Sequence, residues 1–139
     1  MSVLAYETPE ALRGKRVTLV DDDTDTIAIA RELSTRNGFD LVLADGLLEL
    51  LRGSKARPPD LVLMSLRLPI VDGLKTLCYF RNAYPDIPVV TLVENGLRHT
   101  ALLTVKGGAT CALFKPVDPR QLKRVIYAES SLTAWGRGE

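Results

Sequence analysis

The stretch from Asp60 to Gly73, Asp-Leu-Val-Leu-Met-Ser-Leu-Arg-Leu-Pro-Ile-Val-Asp-Gly, restricts the possible folds of this chain more than any other. Leu61 to Met64 is apolar without alternation. A strand with one wet face alternates polar and apolar residues, whereas a parallel strand covered on both faces does not. The run therefore reads as a central buried strand that stops abruptly in a polar loop. Ser65 stands at its carboxyl end, where an open α/β sheet places its chemistry.

The rest of the chain repeats this rhythm. Arg16 to Val20, Asp40 to Ala44, Ile87 to Val93 and Cys111 to Phe114 read as further strands. Helical patterns lie between them. The first opens at Thr24 or Asp25, carries Ile27, Ala28, Ala30 and Leu33 on one face and ends at Asn37-Gly38; the second opens at Asp45-Gly46, carries Leu47, Leu48, Leu50 and Leu51 and ends near Gly53. Ser54 to Pro59 reads as a loop. Gly73 to Tyr84 follows with Leu74, Leu77 and Cys78 on its buried face, then Leu97 to Val105, and a last helix from Asp118 or Pro119 to about Glu129. Strands separated by helices pair most easily in parallel through right-handed crossovers, so the expected architecture is a doubly wound α/β sandwich of flavodoxin-like type, (βα)5. Residues 1–15 read as an N-terminal extension, 16–129 as the domain and 130–139 as a C-terminal tail or linker, in which Trp135 is either a partner contact or simply exposed.

A length of 139 residues suits one core without disulfides or metals. Eighteen basic against seventeen acidic residues leave a formal charge of +1, no field that would recruit nucleic acid or an anionic membrane. Cys78 and Cys111 are isolated in apolar segments and read as reduced core residues. Neither a basic-plus-apolar leader nor an apolar run near the roughly 20 residues of a membrane span is visible, which makes a cytoplasmic location the default.

The fold gathers the polar residues at its strand ends into one pocket: Asp21 and Asp22 after the first strand, Ser65 after the third, Lys115 after the fifth. Consecutive carboxylates at such a place form either a solvated turn or a cation site. Val20-Asp21-Asp22-Asp23, Leu68-Pro69, Asp72-Gly73-Leu74 and Phe114-Lys115-Pro116, in this order and spacing, resemble the receiver domain of two-component response regulators over roughly Arg16 to Glu129. The resemblance implies a five-stranded parallel sheet in the order 2-1-3-4-5. It also implies Asp21 and Asp22 as magnesium carboxylates, the Arg67 backbone carbonyl in the metal shell, and Lys115 on the phosphoryl oxygens. Three positions depart from the family: the phosphoacceptor aspartate is Ser65, the hydroxyl of the fourth strand is Val93, with Thr91 two residues earlier in a buried position, and the switch aromatic is Ala112.

Chemistry states what those departures do. A receiver aspartate attacks phosphorus to form an acyl phosphate while magnesium neutralises the charge. A serine hydroxyl is barely ionised near neutral pH, and the only histidine, His99, belongs to the helix after the fourth strand and reads as exposed. One carboxylate fewer weakens magnesium binding and lets Lys115 pair with Asp21 or Asp22. The expected function is a pseudo-receiver, no enzyme, that acts in phosphorelay signalling through protein contacts. Its partners would be a histidine kinase, an output domain or another receiver, met through the surface of the fourth helix, fifth strand and fifth helix (Leu97 to Lys106 and Arg120 to Tyr127), a homodimer included. Direct contact with nucleic acid or membrane is not expected. The alternatives are a conventional receiver with an Asp-to-Ser change at Ser65, and a small hydrolase using Ser65 with Lys115 as base, although no Gly-x-Ser-x-Gly turn surrounds Ser65.

Overall fold

The structure, a computed structural model, describes residues 11–66 and 70–136, with the side chains of all of these except 70–71 and 131–136. Five strands alternate with five helices: β1 (Arg16–Val20), α1 (Thr24–Asn37), β2 (Asp40–Ala44), α2 (Leu47–Ala56), β3 (Leu61–Leu66), α3 (Ile70–Ala83), β4 (Val89–Glu94), α4 (Arg98–Lys106), β5 (Cys111–Lys115) and α5 (Pro119–Gly136). The strands form one parallel sheet in the order β2-β1-β3-β4-β5. This is the doubly wound flavodoxin-like arrangement expected from the alternation.

The continuous apolar run of β3 has the environment its composition requires, since Leu61, Val62, Leu63 and Met64 are all buried between two separate cores. Leu61 and Leu63 join Leu19, Val90, Leu92, Leu122 and Ile126 on the face covered by α1 and α5. Val62 and Met64 join Leu50, Leu77, Phe80 and Val89 under α2 and α3. Register between β1 and β3 is clamped by one residue: the Asp60 N–H donates to the Arg16 carbonyl at 2.7 Å, and the Asp60 carboxylate accepts the Arg16 N–H at 2.9 Å. At the end of α1, Gly38 adopts a left-handed φ of 79° and returns its N–H to the Ser34 carbonyl at 2.9 Å, a conformation that favours glycine.

Several boundaries differ from the sequence reading. Leu12, placed in the N-terminal extension, is fully buried in the α1/α5 core. Helix α2 continues through Ser54, expected in a loop, to Ala56. Helix α3 begins at Ile70 rather than Gly73, and α5 runs past Glu129 to Gly136, through most of the stretch read as a tail. Local propensity is weak at such ends, and packing decides how far a helix runs. Cys78, expected in the core, is exposed on α3, while Cys111 is half-buried. Among the described residues no helix is long and apolar enough to cross a membrane.

Candidate functional site

The carboxyl ends of the strands carry the site, and β1 supplies most of its charge. Its three aspartates have separate fates. Asp21 is buried; its Oδ1 accepts the Asp23 N–H at 3.0 Å, and its Oδ2 accepts the Lys115 ammonium at 2.8 Å. Asp22 is exposed. Asp23 caps α1: Oδ1 accepts the Asp25 N–H at 3.1 Å, and Oδ2 accepts the Thr26 hydroxyl at 2.8 Å while lying 3.3 Å from the Lys115 ammonium. The Thr26 hydrogen bond is the main cause that holds the Asp23 carboxyl below its ordinary 3.8; burial opposes it, and the Asp25 N–H and Lys115 add to the lowering. The expected cap, Thr24 or Asp25, is therefore displaced by one residue.

Lys115 reaches this corner from the end of β5, ahead of a cis Lys115–Pro116 bond. Its side chain is almost wholly buried between Asp21 and Asp23. The expected pairing with Asp21 or Asp22 resolves in favour of Asp21, and Asp23 is a partner that sequence reasoning missed. The spacing Asp23-x-x-Thr26, a capping pattern, could have revealed it.

Ser65 is the penultimate residue of β3 and pairs in register with Leu92. Its hydroxyl oxygen is sealed from solvent, and among the described residues nothing hydrogen-bonds it. It lines an open pocket of about 300 Å³ together with Asp21, Asp22, Asp45, Asp72 and Thr76. Lys115 lines a different pocket, of about 310 Å³, with Asp25, Thr26, Glu94 and Asn95. The fold thus brings Asp21 to both sides but does not bring Lys115 and Ser65 to one cavity. Arg67 and Leu68-Pro69, expected at this site, lie outside the described residues.

The remaining positions take up packing roles. Val93 is fully buried, in register with Leu66 and Phe114. Ala112 is half-buried opposite Thr91. Thr91 is buried, as expected, and its Oγ1 lies 2.8 Å from Oγ1 of Thr104 on α4. His99 is exposed.

The order of the elements and of the strands in the sheet matches one family. The description of the response regulator receiver domain covers residues 17–127. The chain belongs to this family. Among curated relatives, the photosynthetic apparatus regulatory protein RegA of Cereibacter sphaeroides is 32% identical over 115 residues, 83% of this chain and 62% of the relative. The luminescence regulatory protein LuxO of Vibrio campbellii is 28% identical over 108 residues, 78% of this chain but 24% of the relative. The receiver thus spans about a quarter of LuxO. Among solved structures, the receiver domain of NtrX from Brucella abortus superposes with a TM-score of 0.73 at 27% identity, covering 83% of this chain and 98% of that one.

Receivers bind Mg²⁺ at their acidic pocket, and the residues of this receiver fit that ion poorly. Both oxygens of Asp21 already accept hydrogen bonds, one of them from an ammonium group. Ser65 offers a neutral hydroxyl where a hard cation needs charged oxygen. Among the described residues no group of three or more His, Cys, Asp or Glu side chains has a metal-binding arrangement.

Proposed function

We propose that this receiver takes part in two-component signalling without carrying a phosphoryl group, through protein contacts on the surface of α4, β5 and α5. The observation that carries the reading is the buried lysine. Lys115, the residue that would meet phosphoryl oxygens, is held by Asp21 at 2.8 Å and Asp23 at 3.3 Å, while the acceptor position is a serine whose hydroxyl has no hydrogen-bond partner among the described residues and which lines another pocket. Val93 and Ala112 lack the hydroxyl and the aromatic ring that would relay phosphorylation. The partners on this reading are a histidine kinase, an output domain or another receiver, with neither nucleic acid nor membrane contacted directly and a cytoplasmic setting. The near-zero formal charge supports this.

The same lysine argues against a Ser-Lys hydrolase. A base must be within reach of the nucleophile, and Lys115 Nζ is held between Asp21 and Asp23 and lines a pocket whose lining does not include Ser65.

The test is an amide correlation NMR titration with magnesium and then beryllium fluoride, a phosphoryl mimic. The resonances of Asp21, Asp22, Ser65 and Lys115 are expected to stay in place. Saturable beryllium fluoride shifts that spread into α4 would overturn phosphorylation independence.

A further inference from the structure

Helix α4 is inverted. Its inward side is polar: Thr104 is fully buried and Thr100 nearly so. Its outward side carries apolar residues between charged ones, with Leu102 59% and Val105 45% exposed. A surface helix normally turns its apolar stripe to the core. Here the sheet satisfies the hydroxyls instead. Thr104 Oγ1 donates to the Ala101 carbonyl at 2.7 Å and shares a 2.8 Å hydrogen bond with Thr91 Oγ1 on β4. Rolling the helix to bury Leu102 would break the 2.8 Å bond between Thr104 and Thr91 and leave the buried Thr91 hydroxyl with only its longer, 3.5 Å contact to the Cys111 carbonyl. The hydroxyl pair therefore keeps Leu102 and Val105 facing outward.

The apolar side continues beyond the helix. Val93 stands opposite Phe114 in the register, as Thr91 stands opposite Ala112. Side chains two apart in a strand share a face, so Phe114 lies on the α4 side of β5, the sheet's edge strand. It is 37% exposed. The charge on α4 has one sign, with the exposed Glu94 at the end of β4 standing four residues before Arg98. Arg98, His99 and Lys106 are exposed, α4 carries no acidic residue, and among the described residues no ion pair engages Arg98 or Lys106. Arg98, Leu102 and Lys106 recur at i, i+4 and i+8 and so line one ridge.

We infer that the α4–β5 face docks an acidic amphipathic helix of a partner protein, its apolar ridge against Leu102, Val105 and Phe114 and its carboxylates against Arg98 and Lys106. The inference rests on the protein-contact reading above and names the partner's chemistry. A second copy of the chain is the poorer occupant. A two-fold contact sets the same patch against itself, which brings Arg98 and Lys106 toward their own copies with no carboxylate on α4 to meet them. A helix with apolar residues at i, i+3 or i+4 and i+7, flanked by Glu or Asp, answers both the shape and the charge.

The experiment titrates the full-length ¹⁵N-labelled protein with two synthetic amphipathic peptides that share a leucine ridge, one flanked by glutamate and one by lysine. The glutamate peptide is expected to shift resonances of α4 and β5, with affinity that falls as salt rises, and the lysine peptide is expected to leave them in place. Leu102→Ser, an outward change that leaves the core intact, should weaken binding by roughly tenfold or more. The pair Arg98→Glu with Lys106→Glu should transfer the preference to the lysine peptide, with the folding of each variant checked in the same spectra. Equal response to both peptides, no response on α4, or a sedimenting dimer that Leu102→Ser dissolves would each overturn the inference. A beryllium fluoride response beside a clear glutamate preference would remove phosphorylation independence and leave the docking face standing.

Discussion

Two corners at the carboxyl end of the same sheet, a few residues apart in the strands that build them, treat their polar atoms in opposite ways. At the β1–β5 corner every side-chain oxygen of Asp21 and Asp23 is engaged, and a lysine buried between them offsets one of the two negative charges. At the β1–β3 corner the Ser65 hydroxyl is sealed off with no partner among the described residues, beside a pocket whose other polar residues are mostly acidic. Lack of a carboxylate at position 65 does not leave the lysine stranded. A long flexible ammonium can turn to other carboxylates, whereas a short hydroxyl fixed on a central strand can only reach what the strand brings to it. The corner with mobile charge is thus satisfied, and the corner with a fixed dipole is not.

Removing the lysine breaks this contrast most severely. Lys115→Met takes the 2.8 Å ammonium contact from the buried Asp21 carboxylate and is expected to cost about 3–5 kcal/mol in urea unfolding. Adding Asp21→Asn should recover much of that loss, since removing both members of a buried pair is far milder than removing one. An intermediate effect is expected for Asp23→Ala, which takes away the cap of α1 and the second partner of Lys115, at about 1–2 kcal/mol. Its acid dependence gives an independent readout. The folded Asp23 carboxyl titrates below its ordinary 3.8, so its contribution is complete above that value and is lost as the pH falls through the lower folded value. Glu129, raised from 4.5 by burial, acts in the opposite sense: it favours the folded state at low pH and loses that contribution as the pH rises past 4.5. The Asp23 effect is therefore read as the difference between protein and variant at acid pH, where the variant should lose less stability. The smallest effect belongs to the serine corner. Ser65→Ala removes a buried hydroxyl that has no partner among the described residues and should be neutral or raise stability by up to about 1 kcal/mol. A loss comparable to that of Lys115→Met would mean that the two corners are alike after all.

The sequence was most legible where chain period and burial coincide. Leu61 to Met64 announced a strand covered on both faces, and the spacing of Asp21, Ser65 and Lys115 at strand ends announced a shared edge of the sheet. Helix α4 was legible as a helix but not in its orientation. Its apolar residues, taken alone, would have been assigned to the core, and only the Thr91–Thr104 bond across to β4 shows why they face solvent. The spacing to Thr26 marks Asp23 as a cap, but its contact with Lys115 was hidden for a similar reason, since the lysine arrives from β5 only in the assembled sheet.

By itself, then, the chain determined its alternation of strands and helices, its parallel sheet and the set of polar residues at the functional edge, because side-chain period and crossover handedness are local and near-universal constraints. Only the tertiary structure decided which carboxylates hold Lys115, that Ser65 faces a separate pocket, and which side of α4 meets the sheet. Those choices depend on which atoms arrive within hydrogen-bond reach of one another, and residues as distant in sequence as Asp21 and Lys115 meet only once the sheet is assembled.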